Sequence, residues 1–158
     1  MEPSPLQALL ATHAGPGRVM WIGVRPAKRA PMAEPSAAEI AAAGLVGDRR
    51  LRPGARAVTL MQAEHLPVIA GLARTPWIRF ADLRRNIAVA GLNIGAWRGR
   101  KVELGSAVIE ITGPCAPCSR MEAALGPGGY SALRGHGGVT AAVITEGAVR
   151  LGDLVRPI

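Results

Sequence analysis

Apolar and polar residues alternate in several short runs along the chain, and glycine or proline bounds most of these runs. Such alternation is typical of strands that bury one face. A turn is predicted at 145–147, and a short segment at 152–155 completes the predicted domain. The alternation predicts strands over residues 18–25, 57–61, 86–91, 101–105, 107–112 and 139–144.

Short helices are predicted between some of these strands. Two residue pairs have the spacing of a capping box, whose side chains bond the first free backbone N–H groups of a helix: Ser36 with Glu39, and Thr59 with Gln62. They predict helices over 37–43 and 63–72, and Pro67 interrupts the second helix early.

The helices are too short and too few to alternate with every strand, and no glycine-rich phosphate loop follows a strand. This argues against a doubly wound α/β sheet. We therefore expect a mainly β protein with short α-helices, folded as a partly closed antiparallel β-barrel. The length of 158 residues suits one domain, which we assign to residues 18–158, after an N-terminal extension at 1–17.

The charge of the chain is strongly positive, at +8. Of its 19 basic residues only Lys28 and Lys101 are lysine, so 17 are arginine. Arginine binds phosphate and carboxylate oxygens through a planar fork, which makes an anionic ligand plausible, although high genomic GC content produces the same bias. The basic residues are scattered and the chain has only five aromatic residues, so a nucleic-acid-binding module is supported by charge alone.

No apolar run is long enough to cross a bilayer, and the first 17 residues lack the pattern of a signal peptide. We therefore expect a cytoplasmic protein without a membrane partner. In that compartment, two cysteines at C-x-x-C spacing are more often reactive or metal-bound than joined in a structural disulfide.

Both cysteines, Cys115 and Cys118, lie in one proline-stiffened segment. Ser119 and Glu122 predict a further capping box and a helix over 120–125, which would put Cys118 just before the N-cap. The positive end of a helix favours a thiolate, which is the nucleophilic and metal-binding form of cysteine. Two small apolar residues in a structural loop are the alternative interpretation.

Polar residues also gather before the strand predicted at 86–91. Arg84, Arg85 and Asn86 offer two guanidinium groups and one amide at the mouth of that strand, which is a possible anion seat. A solvated loop would have the same composition.

Taken in order, these motifs resemble the MOSC domain family, named for the C-terminal part of molybdenum cofactor sulfurases. The resemblance covers about residues 18–158. It is carried by five stretches of sequence: Gly44 to Arg49, Arg56 to Leu60, Leu83 to Val89, Gly113 to Met121, and Gly135 to Val139 continuing through Gly147 and Leu151 to Asp153.

The resemblance implies a β-barrel that binds a molybdenum-pterin cofactor. Cys118 matches the family cysteine that ligates molybdenum or carries persulfide sulfur, and Arg85 and Asn86 match the pair near the pterin and its phosphate. Cys115 is shared with only some members and would be a resolving thiol or have no role. The resemblance also allows reduction of N-hydroxylated substrates, with electrons from a separate donor protein because no accessory redox domain is expected here. The reductases themselves carry additional domains or an insertion where only residues 50–55 lie in this sequence.

Several functions remain open at this stage. The chain could bind the molybdenum cofactor through Cys118, or it could be a metal-free thiol or persulfide carrier in which Cys118 attacks and Cys115 resolves. A zinc site would need further ligands, and His13, His65 and His136 are far apart in sequence. Asp48 and His136 could each act as an acid or a base. Alternatively, Asp48 only pairs with Arg49, and His136 is only a residue of a glycine-rich loop.

Overall fold

The structure, a computed structural model, describes residues 1–49 and 51–158. This part of the chain forms ten strands, five short α-helices and one 3₁₀ helix. The strands are β1 (Gly17–Ile22), β2 (Ala37–Ala41), β3 (Gly44–Leu45), β4 (Val58–Gln62), β5 (Ile87–Ala90), β6 (Lys101–Leu104), β7 (Ala107–Pro114), β8 (Val139–Thr145), β9 (Gly147–Arg150) and β10 (Leu154–Pro157). The helices are α1 (Pro5–Leu10), α2 (His65–Ala73), α3 (Phe80–Leu83), α4 (Ser119–Leu125) and α5 (Gly129–Leu133), with the 3₁₀ helix at Ile94–Trp97.

Seven strands close a barrel in the order β1-β10-β6-β7-β8-β4-β5. The mainly β architecture with short helices is therefore confirmed, and the barrel is fully closed where a partly closed one was expected. All neighbouring pairs are antiparallel except β4 with β5. A parallel pair needs a crossover connection, and α2 and α3 lie in that connection.

The helix predicted over 37–43 is instead strand β2, so this prediction is wrong. β2 forms a small sheet with β3 and β9, in which Ile40 pairs with Leu45 and with Gly147. Ile40 is buried, and the backbone pairing on both sides outweighs the helix preference of the alanines around it. β9 begins at the predicted turn and was not foreseen.

The predicted cap of α2 is also wrong. Thr59 and Gln62 belong to β4, and α2 begins after Glu64. The Gln62 side chain donates to Val89 O and to the Glu64 carboxylate, and it accepts the N–H of Ile94 at the start of the 3₁₀ helix. It makes no capping bond to the backbone of α2. Pro67 lies in the first turn of α2, where a missing N–H costs nothing, and it does not interrupt the helix.

The core has two parts. One fills the barrel, and its inward positions alternate with outward ones along β7. The second lies between the outer barrel wall and the helices α2 to α5, which bury Met61 and Ala88 from outside. Residues of β4 and β5 are consequently buried on both faces. This second layer holds the helices, and the loops between them, against one side of the barrel.

The predicted extension at 1–17 contains α1, none of whose residues is buried. His13 follows α1 within this extension, and its ring packs edge-on against Trp97 with 5.8 Å between ring centroids. None of the helices formed by the described residues is long and apolar enough to span a bilayer.

Candidate functional site

A cleft of about 160 Å³ opens beside the cysteine loop, and its lining is unusually basic. No carboxylate lines it among the described residues. The lining consists of five arginines and both cysteines, together with Thr59 and Ala116: Arg25, Arg52, Arg56, Arg84, Arg85, Cys115 and Cys118. We call this the arginine cleft. Guanidinium groups gathered without carboxylates attract anions, and the thiols add two soft ligands.

The two cysteines differ in exposure. Cys115 follows directly on β7, is only 7% exposed, and donates its backbone N–H to Gly138 O at 2.9 Å. Cys118 is exposed, and both thiols are free. The sequence placed Cys118 before the N-cap, but Cys118 is itself the N-cap of α4, in an extended conformation and without a side-chain capping bond.

The partner expected in that capping box acts elsewhere. The Glu122 carboxylate accepts hydrogen bonds from the backbone N–H groups of Tyr130 at 3.0 Å and Gly128 at 3.1 Å. These bonds lower the pKa of Glu122. Glu122 therefore ties the start of α5 to α4 and does not cap the helix that follows Cys118.

Arg85 forms part of the cleft wall. It is 7% exposed, and its guanidinium donates to the carbonyls of Gly137 (2.9 Å), Leu83 (3.2 Å) and Ala116 (3.3 Å). No ion pair between Arg85 and a carboxylate occurs in the part of the chain that the structure describes. Its charge is held by carbonyl dipoles alone, so the buried cation adds to the positive potential of the cleft.

Asn86, predicted beside Arg85 in the anion seat, does not line the cleft. It is 1% exposed and lies beneath the cleft. Its amide NH₂ donates to Asp48 (2.7 Å) and Gly23 O (3.1 Å), and its oxygen accepts from the Thr59 N–H and hydroxyl, both at 3.2 Å. Its two donors and two acceptor sites are all occupied inside the protein, because it joins three segments that meet under the cleft.

Asp48 is buried in the same network. It binds Arg25 through both carboxylate oxygens, at 3.1 and 2.7 Å, so its partner is Arg25 and not the expected Arg49. This bidentate pair fixes the guanidinium of Arg25 at the cleft. We refer to Asp48, Asn86 and the half-buried Thr59, which also lines the cleft, as the buried network.

His136 does not line the cleft. Its ring packs at right angles against His65 of α2, with 5.0 Å between centroids, so residues far apart in sequence meet here. Burial, and then the proximity of His136, lower the pKa of His65. No group of three or more potential metal ligands is found among residues 1–49 and 51–158.

Sequence reasoning missed three of the five arginines as members of one site. Arg56 stands in a quoted motif, and Arg84 was part of the anion seat, but Arg25 and Arg52 gave no local signal. Arg84 has a left-handed backbone, with φ of 57°, which is uncommon outside glycine and directs the chain from α3 into Arg85. Only the meeting of separate loops reveals the cluster.

Comparison with known proteins identifies the fold family. The family model of the MOSC domain matches residues 13–156. No curated protein matches the sequence at a significant level.

Solved structures share the fold at low sequence identity. YuaD from Bacillus subtilis is 17% identical with a TM-score of 0.78, and the match covers 89% of this chain and 94% of that chain. YiiM from Geobacillus stearothermophilus is 17% identical with a TM-score of 0.72, covering 90% and 75%. YiiM from Escherichia coli is 20% identical with a TM-score of 0.62, covering 89% and 69%. The chain therefore belongs to the MOSC domain family, which is associated with the molybdenum cofactor.

Proposed function

We propose that this protein binds a molybdenum-pterin cofactor in the arginine cleft, with the Cys118 thiolate as a ligand of the metal. One observation carries the proposal: five arginines and two free thiols line a single cleft whose described lining holds no carboxylate. A phosphate-bearing ligand that also presents a soft metal is the kind of group that such a lining suits.

The side chains that line the cleft suit both the phosphate and the metal of the cofactor. Arg52 and Arg56 are exposed at the cleft and offer forked donors to phosphate oxygens, while Arg85 supplies a buried positive charge behind them. Cys118 is the exposed thiol and Cys115 the buried one. When bound, the cofactor would supply two-electron redox chemistry or a site for sulfur transfer.

We assign Asn86 a positioning role. The hydrogen bonds of its amide are already made, so direct bonding to a pterin would first require breaking one of them. Through Asp48 it orients Arg25, and through Thr59 it braces the strand that precedes the helices.

The partner of the protein is proposed to be a small anionic ligand, served by a separate electron or sulfur donor protein. Duplex DNA binding, by contrast, is expected to be weak and to fall steeply with salt, because scattered surface arginines contact only phosphates.

Metal retention tests the thiol assignment. Protein from a host that makes the cofactor is analysed for molybdenum and for pterin fluorescence, as the wild type and as the Cys118→Ser and Cys115→Ser variants. We expect Cys118→Ser to lose most of the molybdenum and Cys115→Ser to keep much of it. Equal losses would show that the two thiols act as one dithiol site. Persulfide on Cys118 in protein without molybdenum would identify a metal-free sulfur carrier instead.

A charge-matched pair tests the arginines. Arg52→Gln with Arg56→Gln removes two positive charges from the cleft, and Arg18→Gln with Arg156→Gln removes two from outside it. Pterin retention should fall in the first double variant and stay near the wild-type level in the second. A similar fall in both would mean that overall charge, and not the cleft, retains the cofactor.

A further inference from the structure

A second cavity, of about 270 Å³, shares Cys115 and Ala116 with the arginine cleft. This short stretch of backbone is therefore a common wall between the two spaces. The volume lies just below the roughly 300–1,000 Å³ of pockets that enclose a drug-sized ligand, so the cavity can enclose a single ring. The arginine cleft, at about 160 Å³, would enclose only part of its larger ligand. We call it the Tyr130 cavity.

One wall of the Tyr130 cavity is bare backbone. A Cβ on Gly137 would lie 2.3 Å from Cys115 O, and one on Gly138, whose φ is +86°, would lie 1.9 Å from Leu60 O. Both positions therefore require glycine, and the surface that they form has no side chains. Arg85 holds this wall in place through its bond to Gly137 O. A flat ligand could approach such a wall closely.

The lining of the cavity also includes an aromatic ring and a cation. Tyr130 and Arg134 also line the cavity and are four residues apart, which is about one turn along α5 and its end. Both side chains are exposed, and Arg134 forms no ion pair among the described residues. The nearby Glu122 carboxylate already accepts the N–H of Tyr130, which turns it toward the backbone of α5.

We propose that the Tyr130 cavity binds a planar, single-ring anion, whose ring lies against Tyr130 and whose negative group binds Arg134. An aromatic ring offers a stacking surface, and a guanidinium offers two parallel donors to a carboxylate. The ligand would then lie beside the wall that carries Cys115. The suggestion that this ligand is a substrate rests on the proposed function of the arginine cleft. The selectivity of the cavity for planar anions is independent of that function.

Three probes of the same shape and different charge test the selectivity: benzoate, benzamide and benzamidinium. Their affinities for the full chain are measured by NMR titration. We expect benzoate to bind at least about fivefold more tightly than benzamide, since a charged acceptor strengthens the bond to Arg134, and benzamidinium to bind most weakly. Arg134→Gln should abolish the preference for benzoate. Tyr130→Ala should weaken benzoate and benzamide alike, and Tyr130→Phe should restore both.

The arginine cleft is the competing site for benzoate, and the double variant Arg52→Gln with Arg56→Gln is the control. This variant should lose pterin retention but keep the preference for benzoate. If it loses that preference, or if Arg134→Gln keeps it, benzoate binds elsewhere and the proposal is overturned. It is equally overturned if the wild type does not distinguish benzoate from benzamide. Wild-type protein that retains no molybdenum yet shows the Arg134-dependent preference would refute the proposed function alone.

Discussion

The rim of the arginine cleft and the buried network contain polar residues whose environments are opposite. At the rim, Cys118, Arg52 and Arg56 are exposed. In the network, Asp48 and Asn86 are buried, and each bonds partners from other segments. Polar groups that are already bonded inside the protein stabilise it but have little capacity left for a ligand. Neighbours in sequence, such as Arg85 and Asn86, can therefore serve the cleft and the framework respectively.

The largest loss of stability is expected in the glycine-rich loop of residues 135–138. Gly138→Ala would place a Cβ against Leu60 O in a left-handed conformation, and we expect it to lower the free energy of unfolding by about 4 kcal/mol. Gly135→Ala is the control, because φ is also positive there but no atom lies within 4 Å. It should cost about 1–2 kcal/mol. Urea denaturation measures both, and equal losses would show that the contact with Leu60 is relieved.

The buried network should be the next most sensitive region. Asn86→Ala would leave hydrogen-bonding groups of Asp48, Gly23 and Thr59 without this partner, and we expect a loss of about 3 kcal/mol in the free energy of unfolding. The same denaturation assay measures it. A loss below about 0.5 kcal/mol would mean that Asn86 is free to serve the ligand, which would reverse its assignment to the framework.

The two cysteines extend the comparison into one loop. Cys115→Ser places a hydroxyl in a buried position and should cost about 1–2 kcal/mol of stability, whereas Cys118→Ser at the exposed rim should change stability by less than about 0.5 kcal/mol. Thermal unfolding distinguishes them. For molybdenum retention we expect the opposite order, with the larger loss in Cys118→Ser. A variant that loses both stability and molybdenum would contradict the separation of rim and framework.

The histidine pair gives the smallest expected effect. Because the folded protein holds the pKa of His65 below its ordinary value of 6.5, the unfolded chain binds more protons, and stability should decline as the pH falls through about 6.5. His65→Gln should flatten this decline between about pH 7.5 and pH 5.5. Unfolding midpoints across this range measure the slope.

Glu122 provides the control at lower pH. Its pKa is depressed from 4.5, so its contribution is complete above that value and is lost only as the pH falls below it. Glu122→Gln should therefore leave the slope between pH 7.5 and pH 5.5 unchanged. A slope in that range that is the same in the wild type and in His65→Gln would contradict the role of His65.

Local pattern is sufficient to predict much of this molecule. Alternation over residues 101–105 and 107–112 predicts β6 and β7, since a strand that buries one face repeats every two residues wherever it lies in the fold. The pairing of proline with Cys118 and the position of Arg85 next to a strand likewise follow from neighbours in sequence. The mainly β class follows from such local features, and so do Cys118, Arg84 and Arg85 as candidate site residues.

Long-range contacts determine the rest. β2 and a helix compete for the same alanine-rich residues, and pairing with β9, more than 100 residues away, decides for the strand. Asp48 prefers Arg25 to the adjacent Arg49 because the fold brings the guanidinium of Arg25 to both of its oxygens. Closure of the barrel, the parallel pair of β4 with β5, and the meeting of the arginines also depend on the backbone path, because no local energy term relates residues that are distant along the chain.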